Sequence, residues 1–203
     1  MAISMLYHAF GISGVKYLAT DYSGSKVTFH AEMTHQCLQC PKCSGSRFKF
    51  RGKYIRRCHM IPFGTKPCYL NLILHRVECR NCGHLYRPIL PFMPKTRRMT
   101  KAFIRLAIEL LSFGTIQDVA KFLGVGWDTI KRIHKEHLQS KYQNIPLEKV
   151  EYVSIDEFSI KKGHNYMTVV TDMTSGAIIH AVEGRKKEDI KSFFLKLKKK
   201  PLI

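Results

Sequence analysis

Two cysteine pairs with the same spacing constrain the fold of this chain more than any other feature. Cys40-Pro-Lys-Cys43 and Cys79-Arg-Asn-Cys82 each bring two thiolates within reach of one ion. Two such turns supply the four ligands of a closed, tetrahedral structural zinc site. Pro41 and Gly83 suit the tight turns that this geometry requires. The sequence therefore predicts a structural Zn²⁺ ion bound by Cys40, Cys43, Cys79 and Cys82.

The other cysteines leave one alternative open. Cys37-Leu-Gln-Cys40 has the same spacing, and we favour the pairing of Cys40 with Cys43 because a Ser-Gly step follows Cys43. Cys58 and Cys68 are predicted to be small apolar fillers or spare thiols. Seven cysteines, an odd number in paired spacings, suit a reducing compartment better than a secreted disulfide framework. We therefore expect a cytoplasmic protein.

The charge of the chain indicates a polyanionic partner. Its net charge is +19, and residues 37–94 hold 11 Lys or Arg with one acidic residue, while residues 95–150 hold 11 with 5. A general basic surface, or attraction to an anionic membrane, would account for the charge alone. The motifs below favour nucleic acid, and hence a nucleoid-associated location. We expect no membrane association, because no stretch is apolar enough to span a bilayer and the N-terminus lacks a signal-peptide pattern.

The first two predicted domains are rich in strand patterns. Residues 1–36 form a lead-in with a β-hairpin around a glycine turn. Residues 37–94 form a zinc-ribbon-like domain, with strands at 47–54 and 69–78 between the cysteine pairs and a proline-rich linker at 88–94. Such a small core depends on its metal. Four cations near Tyr54 could follow DNA phosphates, although a solvated basic face fits them equally: Arg51, Lys53, Arg56 and Arg57.

Residues 95–149 are predicted to form a helix-turn-helix domain of three helices. Thr115-Ile-Gln-Asp118 has the capping-box pattern that opens the second helix. Gly124-Val-Gly126 suits the turn before the third helix, which begins near Trp127, a residue we assign to the core. An ordinary three-helix bundle with a basic rim is the alternative. The combined pattern favours double-stranded DNA, read in the major groove by the third helix through Thr129, Lys131, Arg132 and Lys135.

Residues 150–203 change to a β-β-β-α pattern. Asp156 lies in the middle of the first strand, where a carboxylate needs solvent, a partner or a metal. From its chemistry alone it is equally a metal ligand or a polar residue at a sheet edge. Glu157 points to the opposite face, so the two carboxylates are not a ready-made pair. Asp172, beside a Thr-Ser-Gly turn, is predicted to cap that turn.

The order of these motifs resembles a known family. CPKC and CRNC, the segment TIQDVAKFLGVGWDTIKRIH and the block VSIDEFSIKKGHNYMTVVTDMTSGAIIHAVEGR are similar to the DDE insertion-sequence transposases headed by a zinc ribbon, over roughly residues 37–200. The resemblance implies that the zinc ribbon and helix-turn-helix bind the terminal inverted repeats of the element. It also implies an RNase H-like domain in which an Asp-Asp-Glu triad holds two Mg²⁺ ions for strand cleavage and transfer. Matched residue by residue, Asp156 is the first member of the triad.

In that family the second Asp and the Glu follow the first helix of the catalytic domain, where this sequence stops. The expected architecture is multidomain α+β: a zinc ribbon, then a helix-turn-helix, then an incomplete RNase H-like β-β-β-α unit. We therefore expect a truncated transposase that binds element ends but cannot cut DNA alone, and that pairs with itself or with full-length transposase. The alternatives are a DNA-binding regulator or repressor derived from a transposase, and a zinc-ribbon transcription factor. The first strand should have an exposed edge that favours pairing or aggregation.

Overall fold

A computed structural model describes residues 5–34, 38–142, 147–163 and 165–198. Its α+β architecture and the order of its parts agree with the predicted fold class. The chain divides into two compact units, Met1–His137 and Leu138–Ile203. The first unit contains the cysteine segment and the helix-turn-helix, and the second contains Asp156.

A five-stranded sheet forms the base of the first unit. Its elements are helix α1 (Met5–Phe10) and strands β1 (Val15–Asp21), β2 (Val27–Met33), β3 (Phe48–Phe63), β4 (Lys66–Cys79) and β5 (Leu85–Tyr86). The order is β1-β2-β4-β3, with β5 also paired to β4. Strands β1 and β2 form the antiparallel hairpin, and β2 pairs in parallel with β4. The hairpin and the cysteine segment therefore share one sheet.

The core of this sheet follows from the alternation along β4. Cys68, Leu70, Leu72 and Leu74 occupy every second position and are buried. Apolar residues outside the strands cover this face, among them Leu6 and Phe10 of α1. The segment predicted as a linker also contributes, because the apolar residues between its prolines are buried in the same core: Leu90, Phe92 and Met93. This stretch is thus packed against the sheet.

The helix-turn-helix prediction agrees with three helices, α2 (Lys101–Leu110), α3 (Ile116–Leu123) and α4 (Trp127–Tyr142). Thr115 and Asp118 form the capping box at the start of α3. Gly124 ends that helix with a φ of 64°, a left-handed conformation that favours glycine. The three helices enclose a separate apolar core, made of Met99, Phe103, Ala107, Val119, Ala120, Leu123, Ile130 and Ile133.

Trp127 lies outside this core, which differs from the sequence prediction. Its side chain is 53% exposed, and the Lys131 ammonium lies 5.4 Å from the centroid of its ring. The cause is its place at the first residue of α4. The residues that face inward from this helix are Ile130 and Ile133, one and two turns further along.

Backbone contacts tie the helices to the sheet. His59 of β3 donates its N–H to the carbonyl of Arg98 and accepts the N–H of Thr100, both at 2.9 Å. Lys101 donates its N–H to the carbonyl of Phe92 at 2.8 Å. The His59 and Phe103 rings also contact, with centroids 5.8 Å apart. The cysteine sheet and the helix-turn-helix therefore continue into one another without a free linker.

The second unit is an antiparallel sheet with one helix. Its elements are β6 (Val153–Lys161), β7 (Asn165–Asp172), β8 (Ile178–Glu183) and α5 (Lys187–Lys198), and its strand order is β6-β7-β8. Val170, Ile179 and Phe193 form its small core. Asp172 caps the β7–β8 turn as predicted: the Ser175 hydroxyl and the Thr174 N–H lower the pKa of its carboxyl.

Strand β6 is a long edge strand, and every residue in it is exposed. Unpaired edges with apolar side chains favour association with another strand. We expect Phe158→Lys, which places a charge on this edge where Phe158 is 48% exposed, to lower self-association several-fold. Sedimentation velocity over a concentration series would measure the change. Phe113→Lys is the matched control, because Phe113 is 89% exposed in the first unit. Equal effects of the two substitutions would contradict the edge interpretation.

Candidate metal centre and nucleic-acid interface

Cys40, Cys43, Cys79 and Cys82 converge in the structure. Their sulfur atoms all lie within 4.8 Å of one another. Cys40 Sγ is 3.6 Å from Cys82 Sγ, and Cys43 Sγ is 3.5 Å from Cys79 Sγ. Four sulfurs at about 2.3 Å from a tetrahedral Zn²⁺ would lie about 3.8 Å from one another, whereas a disulfide brings two sulfurs to about 2.05 Å. The geometry therefore fits a four-thiolate metal site.

Both cysteine turns also stabilise negative charge on sulfur. Burial raises the pKa of the Cys40 thiol, but the backbone N–H groups of Cys43 and Lys42 outweigh this and lower that pKa to about 7. Burial likewise raises the pKa of Cys79, and the N–H groups of Cys82 and Asn81 lower it on balance. Thiolates are the form that binds metal.

The crowding of four sulfurs opposes this tendency at one position. The Gly45 N–H lowers the pKa of Cys43, but the neighbouring sulfurs of Cys82 and Cys79 raise it to about 12. Four thiolates this close repel one another unless a cation lies between them. The donor set is thus suited to a thiophilic divalent ion such as zinc.

The remaining cysteines are not part of this group. Cys58 and Cys68 are buried in the sheet core, where burial raises their pKa to about 12 and about 11. These values suit inert apolar fillers. Cys37, the alternative ligand, lies outside the described residues.

The exposed face of α4 carries the cations predicted to contact DNA. Lys131, Arg132 and Lys135 are exposed, and Thr129 is half-buried near the start of the helix. Ile130 and Ile133 anchor the opposite face in the core. This is the arrangement in which the second helix of a helix-turn-helix presents side chains to the major groove. The assignment of individual contacts stays a prediction.

The four basic residues of β3 have different environments. Arg51 forms an ion pair with Glu78, and the Arg57 guanidinium lies 4.2 Å from the centroid of the Tyr69 ring. Arg56 Nη2 donates to three carbonyls of the segment before α2, those of residues 94, 95 and 97, at 3.3, 3.0 and 2.6 Å. Lys53 is exposed. Arg56 therefore holds the chain in place, a role that its sequence context did not indicate.

Asp156 lies on the open face of the second unit. It pairs across the sheet with Val169, whereas its neighbour Ile155 pairs with the buried Val170. Its carboxylate accepts the N–H of Glu157 at 2.8 Å. Among the described residues, three or more metal-binding side chains converge only in the cysteine cluster. Asp156 is not part of this cluster. Its catalytic role stays a prediction.

Arg97 and Glu136 form a pair that the sequence analysis missed. The Arg97 side chain is 9% exposed, and its guanidinium pairs with the carboxylate of Glu136 on α4. Opposite charges 39 residues apart leave no local pattern, so only the fold reveals the contact. The pair links α4 to the segment that Arg56 holds against β3.

Comparison with known proteins agrees with the order of the helix-turn-helix and the second unit along the chain. The family model described as the helix-turn-helix domain of transposase family ISL3 matches residues 88–138, and a second described as transposase matches residues 153–202. The transposase for insertion sequence element IS1001 of Bordetella parapertussis is 26% identical over 94% of this chain and 47% of its own length. The transposase for insertion sequence element IS1557 of Mycobacterium tuberculosis is 26% identical over 77% of the chain and 35% of its own length. No solved structure matches.

The cysteine cluster, the helix-turn-helix match and the transposase match follow one another along the chain in the order that the motifs predicted. Two segments of the chain match family models of ISL3 transposases, and this confirms the resemblance to insertion-sequence transposases drawn from its motifs. It spans about half the length of one curated relative and about a third of the other. None of the described helices is long and apolar enough to cross a membrane.

Proposed function

We propose that this chain binds the terminal inverted repeats of its insertion sequence as double-stranded DNA. The observation that supports this most strongly is the basic, exposed face of α4 within the segment that matches the helix-turn-helix of the ISL3 family. Three cations on a rigid helix suit the major groove, where Arg and Lys pair with guanine. The cytoplasm, in contact with the nucleoid, is the corresponding location.

The role of the cysteine cluster in this proposal is structural. A Zn²⁺ ion held by Cys40, Cys43, Cys79 and Cys82 supplies no chemistry to DNA. It fixes the ends of the two cysteine turns against the sheet, because all four coordination positions would be filled by protein. The turns lie at the start of β3 and the end of β4, so the metal sets the position of the basic strand β3.

We assign DNA strand cleavage and transfer to the complete enzyme, with Asp156 as one of its carboxylates. When bound, two Mg²⁺ ions would activate the attacking oxygen and stabilise the leaving one. Such a site needs several converging carboxylates, and the described residues do not assemble them around Asp156. Asp156 is nevertheless accessible on an uncovered sheet face. Self-association, or association with a full-length transposase, would occur through the exposed edge of β6.

The lack of converging carboxylates around Asp156 among the described residues favours a second candidate function. A chain that binds element ends without a complete carboxylate site would occupy them and repress the active enzyme. A zinc-ribbon transcription factor is less well supported, because residues 153–202 match a transposase model. The regulator and the transposase share the DNA-binding step, so one binding experiment tests both.

Substitution of α4 tests the proposed function directly. We expect Lys131→Ala, Arg132→Ala and Lys135→Ala together to abolish the preference for duplexes that carry the element ends over duplexes of shuffled sequence. Each lost base contact costs about 1–3 kcal/mol of discrimination, so the preference should fall at least tenfold. Fluorescence anisotropy would measure both affinities.

The charge-matched control replaces Lys16, Lys26 and Lys66, which are exposed on or near the strands of the sheet, with glutamine. This control should keep the preference. A wild-type chain with no preference for the element ends would contradict the proposal.

A further inference from the structure

A basic groove lies between β3 and the segment that leads into the helix-turn-helix. Its volume is about 670 Å³. Strand β3 lines the groove through residues 54–57. The remaining lining residues are Pro41, residues 86–90, Met93, Lys95, Thr96 and Arg98. Five cations line it, and none of the described residues that line it is acidic: Arg56, Arg57, Arg87, Lys95 and Arg98. The groove therefore concentrates positive charge without an internal counter-charge.

The walls of this groove are fixed by contacts within the protein. Arg56 donates to three carbonyls of the opposite wall, which leaves Arg57, Arg87, Lys95 and Arg98 as the exposed cations. Arg97 lies in the chain between the lining residues Thr96 and Arg98, and its guanidinium pairs with Glu136 on α4. An anion bound in the groove would thus be held at a fixed distance from the recognition helix.

The aromatic rings of the groove, Tyr54 and Tyr86, each have a partner on one face, which bears on the kind of ligand that fits. The Arg87 guanidinium lies 5.4 Å from the centroid of the Tyr54 ring. The Tyr86 ring stacks on His84 with centroids 5.8 Å apart, and Phe48 meets it edge-on. Single-stranded nucleic acid binds by stacking its bases on open aromatic faces. Since one face of each tyrosine is occupied and five cations line the groove, the groove suits phosphates better than unstacked bases.

The apolar lining of the groove also matches a sugar–phosphate backbone. Ile55 and Ile89 line the groove and are 70% and 59% exposed, so they offer apolar surface to deoxyribose. Cations beside exposed apolar side chains suit the phosphate and sugar groups of a phosphodiester strand.

We propose that this groove binds the phosphodiester backbone of duplex DNA beside the segment contacted by α4, and so sets the register of the recognition helix. The proposal rests on the proposed function, since it assumes that the chain binds duplex DNA. Phosphate contacts position a protein on DNA without reading its sequence. The groove therefore contributes to the affinity for every duplex, whereas α4 contributes to the choice among them.

The salt dependence of binding to a duplex of shuffled sequence tests this division of roles. The test variant is Arg87→Gln, Lys95→Gln and Arg98→Gln, and the matched control is Lys16→Gln, Lys26→Gln and Lys66→Gln, which removes the same charge outside the groove. Anisotropy would give the slope of log K against log salt between about 50 and 200 mM, where each phosphate contact contributes about 0.9. We expect the slope to fall by about 2–3 for the test variant and by less than about 1 for the control.

Several outcomes separate this proposal from the function on which it rests. Equal slopes for test variant and control would overturn the groove proposal while the element-end preference still stands. A wild-type chain that does not bind duplex DNA would overturn both. Tighter binding of a single strand than of the duplex, lost in the test variant, would overturn the assignment to duplex backbone. If the triple variant fails to fold, Lys95→Gln alone, at an exposed position, should still lower the slope by about 0.9.

Discussion

Cys79→Ser is expected to release the bound metal and to lower the melting temperature of the first unit by more than about 10 °C. The loss of metal should cost several kcal/mol of stability, and each kcal/mol lowers the melting temperature by about 2–4 °C. Cys79 is fully buried at the end of β4, and its sulfur is one of the four that converge. Structural zinc contributes about 10–16 kcal/mol in small zinc-finger peptides. The effect here is smaller, because the sheet also has a large apolar core of its own.

The measurements are zinc content by atomic absorption and thermal unfolding by circular dichroism. Wild type should hold about one zinc per chain, and a chelator should reproduce the unfolding behaviour of Cys79→Ser. Cys58→Ala is the matched control: this cysteine is equally buried, but its Sγ contacts the Leu70 carbonyl rather than the cluster. It should keep its zinc. Full zinc content in Cys79→Ser, or none in wild type, would contradict the assignment.

Glu136→Ala is expected to destabilise the packing of α4 by about 1–3 kcal/mol, because it leaves the Arg97 charge without its partner. Arg97 is 9% exposed, whereas Glu136 is 57% exposed, so solvent weakens the pair and the upper values for buried ion pairs do not apply. The loss should appear as a lower midpoint in urea unfolding. It should also weaken binding to the element ends, since α4 is no longer held in register.

A double-mutant cycle isolates the contact. Arg97→Met removes the charge and keeps an apolar stem, so the double variant should be less destabilised than the sum of the single changes predicts. Glu109→Ala, on α2, serves as the control for removal of an acidic residue. Additive effects of Arg97→Met and Glu136→Ala would show that the pair contributes nothing. If Glu136→Ala lowers stability but leaves DNA binding unchanged, the pair stabilises the fold without setting the position of α4 on DNA.

The parts of this fold that the sequence predicts are those specified by local chemistry. The paired cysteines, the Thr115–Asp118 capping box and the turn at Gly124 each depend on residues within four positions of one another. The order of domains followed from these signals. The burial of Cys58 and Cys68 agrees with the prediction that they are apolar fillers, although both lie in parts of β3 and β4 that extend beyond the predicted strands.

The parts that sequence reasoning missed depend on distant contacts. Trp127 is large and apolar, but the position of α4 against the other helices leaves it exposed. The proline-rich segment has no regular period, and only the presence of the sheet gives its apolar residues a core to join. The Arg97–Glu136 pair and the groove arise where segments far apart in sequence meet.

Under the proposed function, the continuity between the cysteine sheet and the helix-turn-helix would limit which DNA the protein can bind. The contacts of Arg56 and His59 leave no hinge between the two parts. Two DNA-binding domains joined by a flexible linker tolerate variable distances between their target segments, whereas a single rigid body does not. Each added base pair rotates one segment by about a tenth of a turn relative to the other. If the chain binds the ends of the element as proposed, these ends must keep a constant spacing, and insertions within them should be lost from active copies even where no base is contacted.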